Sequence, residues 1–444
     1  MNSIFNKRYF STSRTIIIGF ALVIIVGTLL LMLPISAKSG NSTPFLECLF
    51  TATSSTCVTG LVVLDTATHW SFFGQLIILA MIQIGGMGII TMGIIVTMFA
   101  GKKINLMQRS TMQESISAHK VGGIIRLSRF IFITSAVIEL LGAISFSFVF
   151  CCQFGWLKGI WMSIFHSVSA FCNAGFDLMG ENAQFSSLTA YVYNPLVNIT
   201  VMLLIVIGGI GFLTWDDIAT NKWHIRHYRM QSKVIFLATA VLIILPTVYF
   251  FFCEFAHLDF SKRIMVSLFQ AITPRTAGFN TVAATEISDT GNTLVSILML
   301  IGGAPGSTAG GMKITTIVVL FAASLSVLKK RDSASAFGRR ISDEVVKNAA
   351  TILVMYVALF VVSAMIMSAV EKLPIIDCLY ETASAIGTVG LTVGITSTLG
   401  TVSRIILIAL MYMGRVGGLT LVFATHLGIQ KNLVKLPQET ITVG

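Results

Sequence analysis

Cys57-Val58-Thr59-Gly60 is the stretch on which the reading of this chain turns. It follows a run of small residues, Thr51-Ala52-Thr53-Ser54-Ser55-Thr56, and precedes a long apolar segment. Three echoes follow it: Cys172-Asn173-Ala174-Gly175, Arg275-Thr276-Ala277-Gly278 and Gly387-Thr388-Val389-Gly390. The closing glycines, Gly60, Gly175, Gly278 and Gly390, recur at intervals of roughly a hundred residues. A fixed period of this kind marks an internal repeat.

The surroundings of each echo are alike. A long apolar segment comes first, over 14–36, 128–152, 233–255 and 347–370. A half-apolar segment too short to cross a bilayer follows, over 44–56, 160–171, 263–273 and 375–386. Then comes the glycine motif, and then a second long segment over 72–100, 192–218, 292–328 and 402–428. Each short segment begins with an apolar-aromatic pair, Leu49-Phe50, Ile164-Phe165, Leu268-Phe269 and Leu379-Tyr380. Small residues fill the last turns, which lets helices approach closely. The second segments share a further signature, Gly85-Gly86, Gly208-Gly209, Gly302-Gly303 and Gly414-Arg415. A threonine stands six residues after the first glycine each time, at Thr91, Thr214, Thr308 and Thr420.

The 444 residues are 55% hydrophobic and 11% charged. A soluble domain usually carries about 25% charged residues, so this chain belongs in a membrane. Spanning segments must pair all their backbone groups internally, which requires helices. The expected fold is an all-α integral membrane protein. Four tandem helix–pore helix–helix repeats would surround a central pseudo-four-fold pore. The units are 1–101, 102–220, 221–330 and 331–444. The net charge is +11, and the cations cluster in the connecting segments near 101–127, 219–232 and 329–346 and at both ends. The positive-inside rule places these segments and both termini in the cytoplasm. The cations are split among short loops, which argues against nucleic acid as a partner. None of the seven cysteines has zinc-type spacing, His224-x-x-His227 reads as a solvated loop, and no catalytic constellation is present.

The glycine motifs suit ion chemistry. A dehydrated cation needs several oxygen ligands at once, and rings of backbone carbonyls supply them. Glycine permits the irregular backbone that points carbonyls inward. Four loops from one chain would make a four-fold ring, with the negative C-terminal ends of the short helices aimed at the ion. All sixteen positions, 57–60, 172–175, 275–278 and 387–390, are candidate filter residues. The third repeat departs from the others: Gly302, Gly303, Pro305, Gly306, Gly310 and Gly311 crowd into one segment. Each interior glycine costs about 1 kcal/mol and proline about 3 kcal/mol relative to alanine, so that helix must break. Ser307, Thr308 and the freed backbone groups can then face the pore. The stretch is not a phosphate-binding loop, because Met312 separates Gly311 from Lys313 and no strand precedes it. Two charges fall inside apolar runs. Arg415 would form a barrier together with the broken segment. Glu139 reads as a structural hydrogen-bonding group.

Together, Val58-Thr59-Gly60-Leu61, Asn173-Ala174-Gly175-Phe176, Thr276-Ala277-Gly278-Phe279-Asn280, Thr388-Val389-Gly390-Leu391 and the Gly302–Lys313 stretch resemble the Trk/Ktr/HKT superfamily of potassium transporters. The likeness covers nearly the whole chain and is greatest to the bacterial Ktr membrane subunit (KtrB/KtrD type). It implies that the loop glycines form a K+ filter, and glycine in all four repeats implies potassium preference. It implies a gate loop over 302–313, comprising Gly302, Gly303, Gly306, Ser307, Thr308, Gly310, Gly311 and Lys313, with Arg415 beneath the filter. It also implies a homodimer in the bacterial plasma membrane, bound to a cytosolic nucleotide-binding regulatory ring (KtrA/KtrC type). ATP or ADP would bind only to that separate ring. Passive, channel-like uptake is the favoured mechanism. Symport with sodium or protons is the alternative, although coupled carriers usually show inverted repeats and midplane carboxylates.

Overall fold

The computed structural model describes residues 12–99, 112–113, 123–181 and 183–417. Most of the 101–122 linker, Lys7, Arg8, Thr420 and the tail Lys431–Gly444 therefore lie outside the described residues. The four-fold plan is present. Repeat 1 contains α1 (Thr12–Leu31), α2 (Phe45–Cys57), α3 (Phe72–Met87) and α4 (Ile89–Phe99). Repeat 2 contains α5 (Ile124–Phe154), α6 (Trp156–Phe171), α7 (Pro195–Gly209) and α8 (Phe212–Asn221). Repeat 3 contains α9 (Met230–Tyr249), α10 (Phe260–Ile272), α11 (Asp289–Leu300) and α12 (Ile314–Leu328). A small hairpin at the start of repeat 4 pairs Ser335–Ala336 with Arg339–Arg340. That repeat contains α13 (Asp343–Glu371), α14 (Ile375–Gly387) and α15 (Thr401–Val416).

The first helices are the spanning ones. Arg14–Leu31, Ile124–Phe154, Met230–Glu254 and Asp343–Glu371 are each long and apolar enough to cross a bilayer. Large apolar side chains such as Leu22, Leu140, Phe148, Leu245 and Val354 are exposed on them, as suits a surface solvated by hydrocarbon. Polar residues lie inside. Every residue from Phe50 to Cys57 is buried, five of them Ser or Thr. The short helices α2, α10 and α14 have 13 residues and α6 has 16. At about 1.5 Å per residue they fall short of a bilayer of about 30 Å, so they are re-entrant elements.

The second helices differ from the uninterrupted spans expected in repeats 1 and 2. Both break at one register, and α15 of repeat 4 ends at the same one, beyond which its expected span lies outside the described residues. The residue three positions after the first signature glycine is Gly88, Gly211 and Gly417, with φ of 85°, 91° and 89°. Their ψ values are 132°, 144° and 134°. Only glycine enters this region without strain. Helices α7 and α8 consequently meet at 93°. In repeat 3 the same register holds Pro305, whose ring fixes φ near −65°. The glycine turn is closed to it, so the chain runs as a loop from Ile301 to Lys313 before α12 begins.

Side-chain caps fix where three of these helices start. Ser71 Oγ accepts from Gly74 N–H, Asn194 Oδ1 from Val197 N–H and Ser288 Oγ from Gly291 N–H. At the start of α15 Glu371 supplies the acceptor instead, taking bonds from Gly400 N–H and the Ser403 hydroxyl. Gly211→Ala forces an L-residue to φ +91° and places its Cβ 2.8 Å from Pro305 O. It should destabilise the detergent-solubilised protein by about 1–3 kcal/mol, read as a lower midpoint of thermal unfolding; an unchanged midpoint would contradict the strained-turn account.

Candidate functional site

The loops after the four short helices share one geometry. Two residues before its glycine, each loop turns left-handed. The left-handed residues are Val58, Asn173, Thr276 and Thr388, with φ of 57°, 58°, 63° and 51°. A hydroxyl in the last turn of each short helix, or just past it in repeat 3, braces its loop. Ser54 Oγ accepts from Gly60 N–H at 3.1 Å, and Ser384 Oγ from Gly390 N–H at 3.0 Å. The Ser169 hydroxyl donates to Phe176 O at 2.7 Å, and that of Thr273 to Phe279 O at 2.6 Å. The backbone carbonyls of the same four residues accept from Thr59, Ala174, Ala277 and Val389 N–H. The motif reading did not single out these hydroxyls. The signal was a Ser or Thr five or six residues before every loop glycine.

The four glycines close a ring. A Cβ on Gly60 would lie 2.5 Å from Ala174 O, and one on Gly175 would lie 2.8 Å from Ala277 O. One on Gly278 would lie 2.2 Å from Val389 O, and one on Gly390 would lie 2.2 Å from Thr59 O. Each glycine thus abuts the carbonyl before the next repeat's glycine, and repeat 4 returns to repeat 1. The four candidate loops, 57–60, 172–175, 275–278 and 387–390, meet here through their glycines and the carbonyls before them. The ring opens on one side into a cavity of about 220 Å³, also lined by Asp65, Asp177, Asn280 and Thr392. Asp65 ties repeat 1 to repeat 2 at this mouth. Its Oδ1 accepts from Thr68 N–H and its Oδ2 from Phe185 N–H, both within 3 Å. Cys57 and Cys172 are buried free thiols, and Gly86 packs on Cys172, where a Cβ would lie 2.6 Å from Sγ.

The 301–313 loop touches repeats 2 and 4 directly and is linked to repeat 1 through Arg415. Ala304 N–H donates to Gly209 O at 2.9 Å, and Phe212 N–H to Gly306 O at 2.7 Å. Gly311 N–H donates to Gly414 O at 3.2 Å. The Arg415 guanidinium completes the set, donating to Thr308 O in the loop and to Gly85 O and Gly86 O in repeat 1. The glycines are required by contact. A Cβ on Gly310 would lie 2.0 Å from Thr388 Oγ1, and one on Gly302 would lie 2.2 Å from Gly310 O. The loop's polar side chains are tied up. The Ser307 hydroxyl donates to Ala304 O at 2.6 Å, and Lys313 Nζ donates to Ala309 O at 2.7 Å. The Thr308 hydroxyl lies 3.1 Å from Phe171 O and 3.3 Å from Asn173 Oδ1. The Asn173 amide in turn donates to Arg275 O at 3.2 Å. One side chain therefore joins the loop to two arms of the ring, a link that motif spacing did not reveal. Glu139 lies apart, accepting from Gln83 Nε2 at 3.0 Å and so bonding α5 to α3.

A four-fold ring of backbone oxygens, lined by re-entrant helices and set in an apolar exterior, is the architecture of a membrane cation transport protein. The family model for TrkH, described as cation transport protein, matches residues 4–435, and the chain belongs to that family of transporters, which are not enzymes. The chain is 40% identical to the potassium/sodium uptake protein NtpJ of Enterococcus hirae, over 99% of this chain and 98% of that one. It is 36% identical to the Ktr system potassium uptake protein B of Bacillus subtilis, over 98% and 97%. The crystal structure of the potassium transporter TrkH from Vibrio parahaemolyticus shares the fold with a TM-score of 0.75 at 17% identity, covering 96% of this chain and 87% of that one.

If the hydroxyl braces hold the ring, Ser54→Ala and Ser384→Ala leave Gly60 and Gly390 N–H without their acceptors. The double variant should lose about 1–3 kcal/mol in thermal unfolding, with a larger loss than Ser147→Ala on the exposed face of α5; equal losses would remove the bracing role.

Proposed function

We propose that this chain is the membrane subunit of a bacterial potassium uptake system. Potassium ions cross it passively through the ring formed by residues 57–60, 172–175, 275–278 and 387–390. The closed ring of glycines carries this reading, because each glycine is pressed against the carbonyl of its neighbour. Carbonyls held in that way replace a cation's hydration shell without needing a charged side chain. Inward movement is driven by the membrane potential, at about 2.3 kcal/mol per charge per 100 mV. The names of the relatives support potassium as cargo.

In the same proposal the 301–313 loop is the gate. It lies under the ring, and Arg415 pins it to repeats 1 and 4 with a charge that repels cations. The unit boundaries 1–101, 102–220, 221–330 and 331–444 follow the repeats. Both termini face the cytoplasm, the chain forms a homodimer in the plasma membrane, and a cytosolic regulatory ring of the KtrA/KtrC type carries the ATP or ADP. A second reading, potassium flux coupled to sodium, is favoured by the name of the Enterococcus relative, a potassium/sodium uptake protein. Sealed vesicles separate the two: uptake driven by potential alone, without sodium, supports the passive reading, and an absolute sodium requirement supports the coupled one.

Gly60→Ser and Gly278→Ser each force a side chain into a neighbouring carbonyl, at 2.5 Å and 2.2 Å for the Cβ alone. Both should lower the preference for potassium over sodium, measured as competing uptake in vesicles; an unchanged preference in both variants refutes the filter assignment. Shortening 302–311, or Arg415→Gln, should raise potassium flux in the absence of any partner. Unaltered or reduced flux in a folded variant would count against the gate.

A further inference from the structure

The residue just before the left-handed position is Cys57, Cys172, Arg275 or Gly387 in the four repeats. Three are neutral at neutral pH and one is a cation. Arg275 is only 5% exposed. Its Nη2 donates to Thr239 Oγ1 on α9 at 3.3 Å. Its Nε is buried and has no hydrogen-bond partner among the described residues. It takes part in no ion pair among those residues. A buried guanidinium has five donors to satisfy, and burying it without a counter-ion is costly. The other repeats show that Cys or Gly fills the position, so packing alone does not call for arginine.

The surroundings show what offsets that cost. Arg275 lies three residues past the end of α10, and its N–H folds back to donate to Ile272 O, the last helical carbonyl, at 3.0 Å. A helix C-terminus carries about half a negative charge, which favours a nearby cation. The same pairing cancels what α10 would contribute at the axis. Helices α2, α6 and α14 end beside the ring with no cation at the matching position, so the field on a passing ion is lopsided. Conduction needs binding strong enough for entry and weak enough for exit. We infer that Arg275 is a specificity-determining residue whose fixed charge weakens cation binding in the ring and keeps ions moving. This rests on the filter reading above.

The test measures potassium uptake by the full-length chain in vesicles at fixed potential, with barium as a blocker of twice the charge. Arg275→Gln should lower the half-saturating potassium concentration about tenfold, equivalent to about 1.4 kcal/mol, and reduce the maximal rate. Because electrostatic energy scales with charge, half-blocking barium should fall by about the square of that factor. Arg275→Lys should stay near the parent on both. Arg275→Cys, the residue of repeats 1 and 2, replaces the glutamine variant if that one fails to fold. Half-saturation that is unchanged or raised in the neutral variants overturns the proposal, as do Lys and Gln variants that shift together. Gly278→Ser is the control: if it loses potassium preference while the neutral Arg275 variants do not shift, only this inference falls. If it keeps that preference, the filter reading falls.

Discussion

Everything in this fold is arranged around four backbone contacts: each loop glycine against the carbonyl before the next repeat's glycine. None of the four positions has room for a Cβ, and all four backbones have φ between 69° and 98°. The contacts close only if four short helices end at one level. That explains the small, buried last turns and the hydroxyls that brace each loop. A ring of this kind presents dipoles rather than charges. It therefore survives in an apolar exterior that would punish an unpaired carboxylate. The long first helices support it from outside, with their apolar faces turned outward.

Four-fold similarity makes the ring, and departures from similarity make everything else. The second helices of repeats 1 and 2 break at a glycine with φ near +90°, and α15 of repeat 4 ends at the same register. Proline at that register in repeat 3 cannot take the turn, so its chain runs as a loop across to repeats 2 and 4. Arginine stands where repeats 1 to 3 have the second glycine of the pair, and its guanidinium reaches that loop from repeat 4. Asn173 extends the contact upward into the ring. A single hydrogen-bonded path thus runs from Arg415 through Thr308 and Asn173 to the backbone of the repeat 3 loop.

Much of this was legible in the sequence because repetition amplifies weak signals. A lone Val-Thr-Gly says little, but four such motifs in four equal contexts define the ring and its membrane class. The crowding of Gly302, Gly303, Pro305 and Gly306 likewise disclosed the broken segment. What stayed hidden depended on backbone geometry or on long-range contact. Gly88 and Gly211 sit in apolar runs that look continuous, since one glycine is tolerated in a helix; only their positive φ marks the breaks. The brace hydroxyls read as ordinary small residues of a packed helix. Nothing in spacing could show that Asn173 touches Thr308, which is 135 residues away.

The central claim is that cations are held by this ring of carbonyls. A structure of the protein determined in rubidium or thallium, located by anomalous scattering, tests it most directly. The account predicts a peak on the axis within the circle of Thr59, Ala174, Ala277 and Val389 oxygens, reduced when sodium replaces the heavier ion. Peaks found only at the acidic mouth or elsewhere in the chain, with none in the ring, would contradict it.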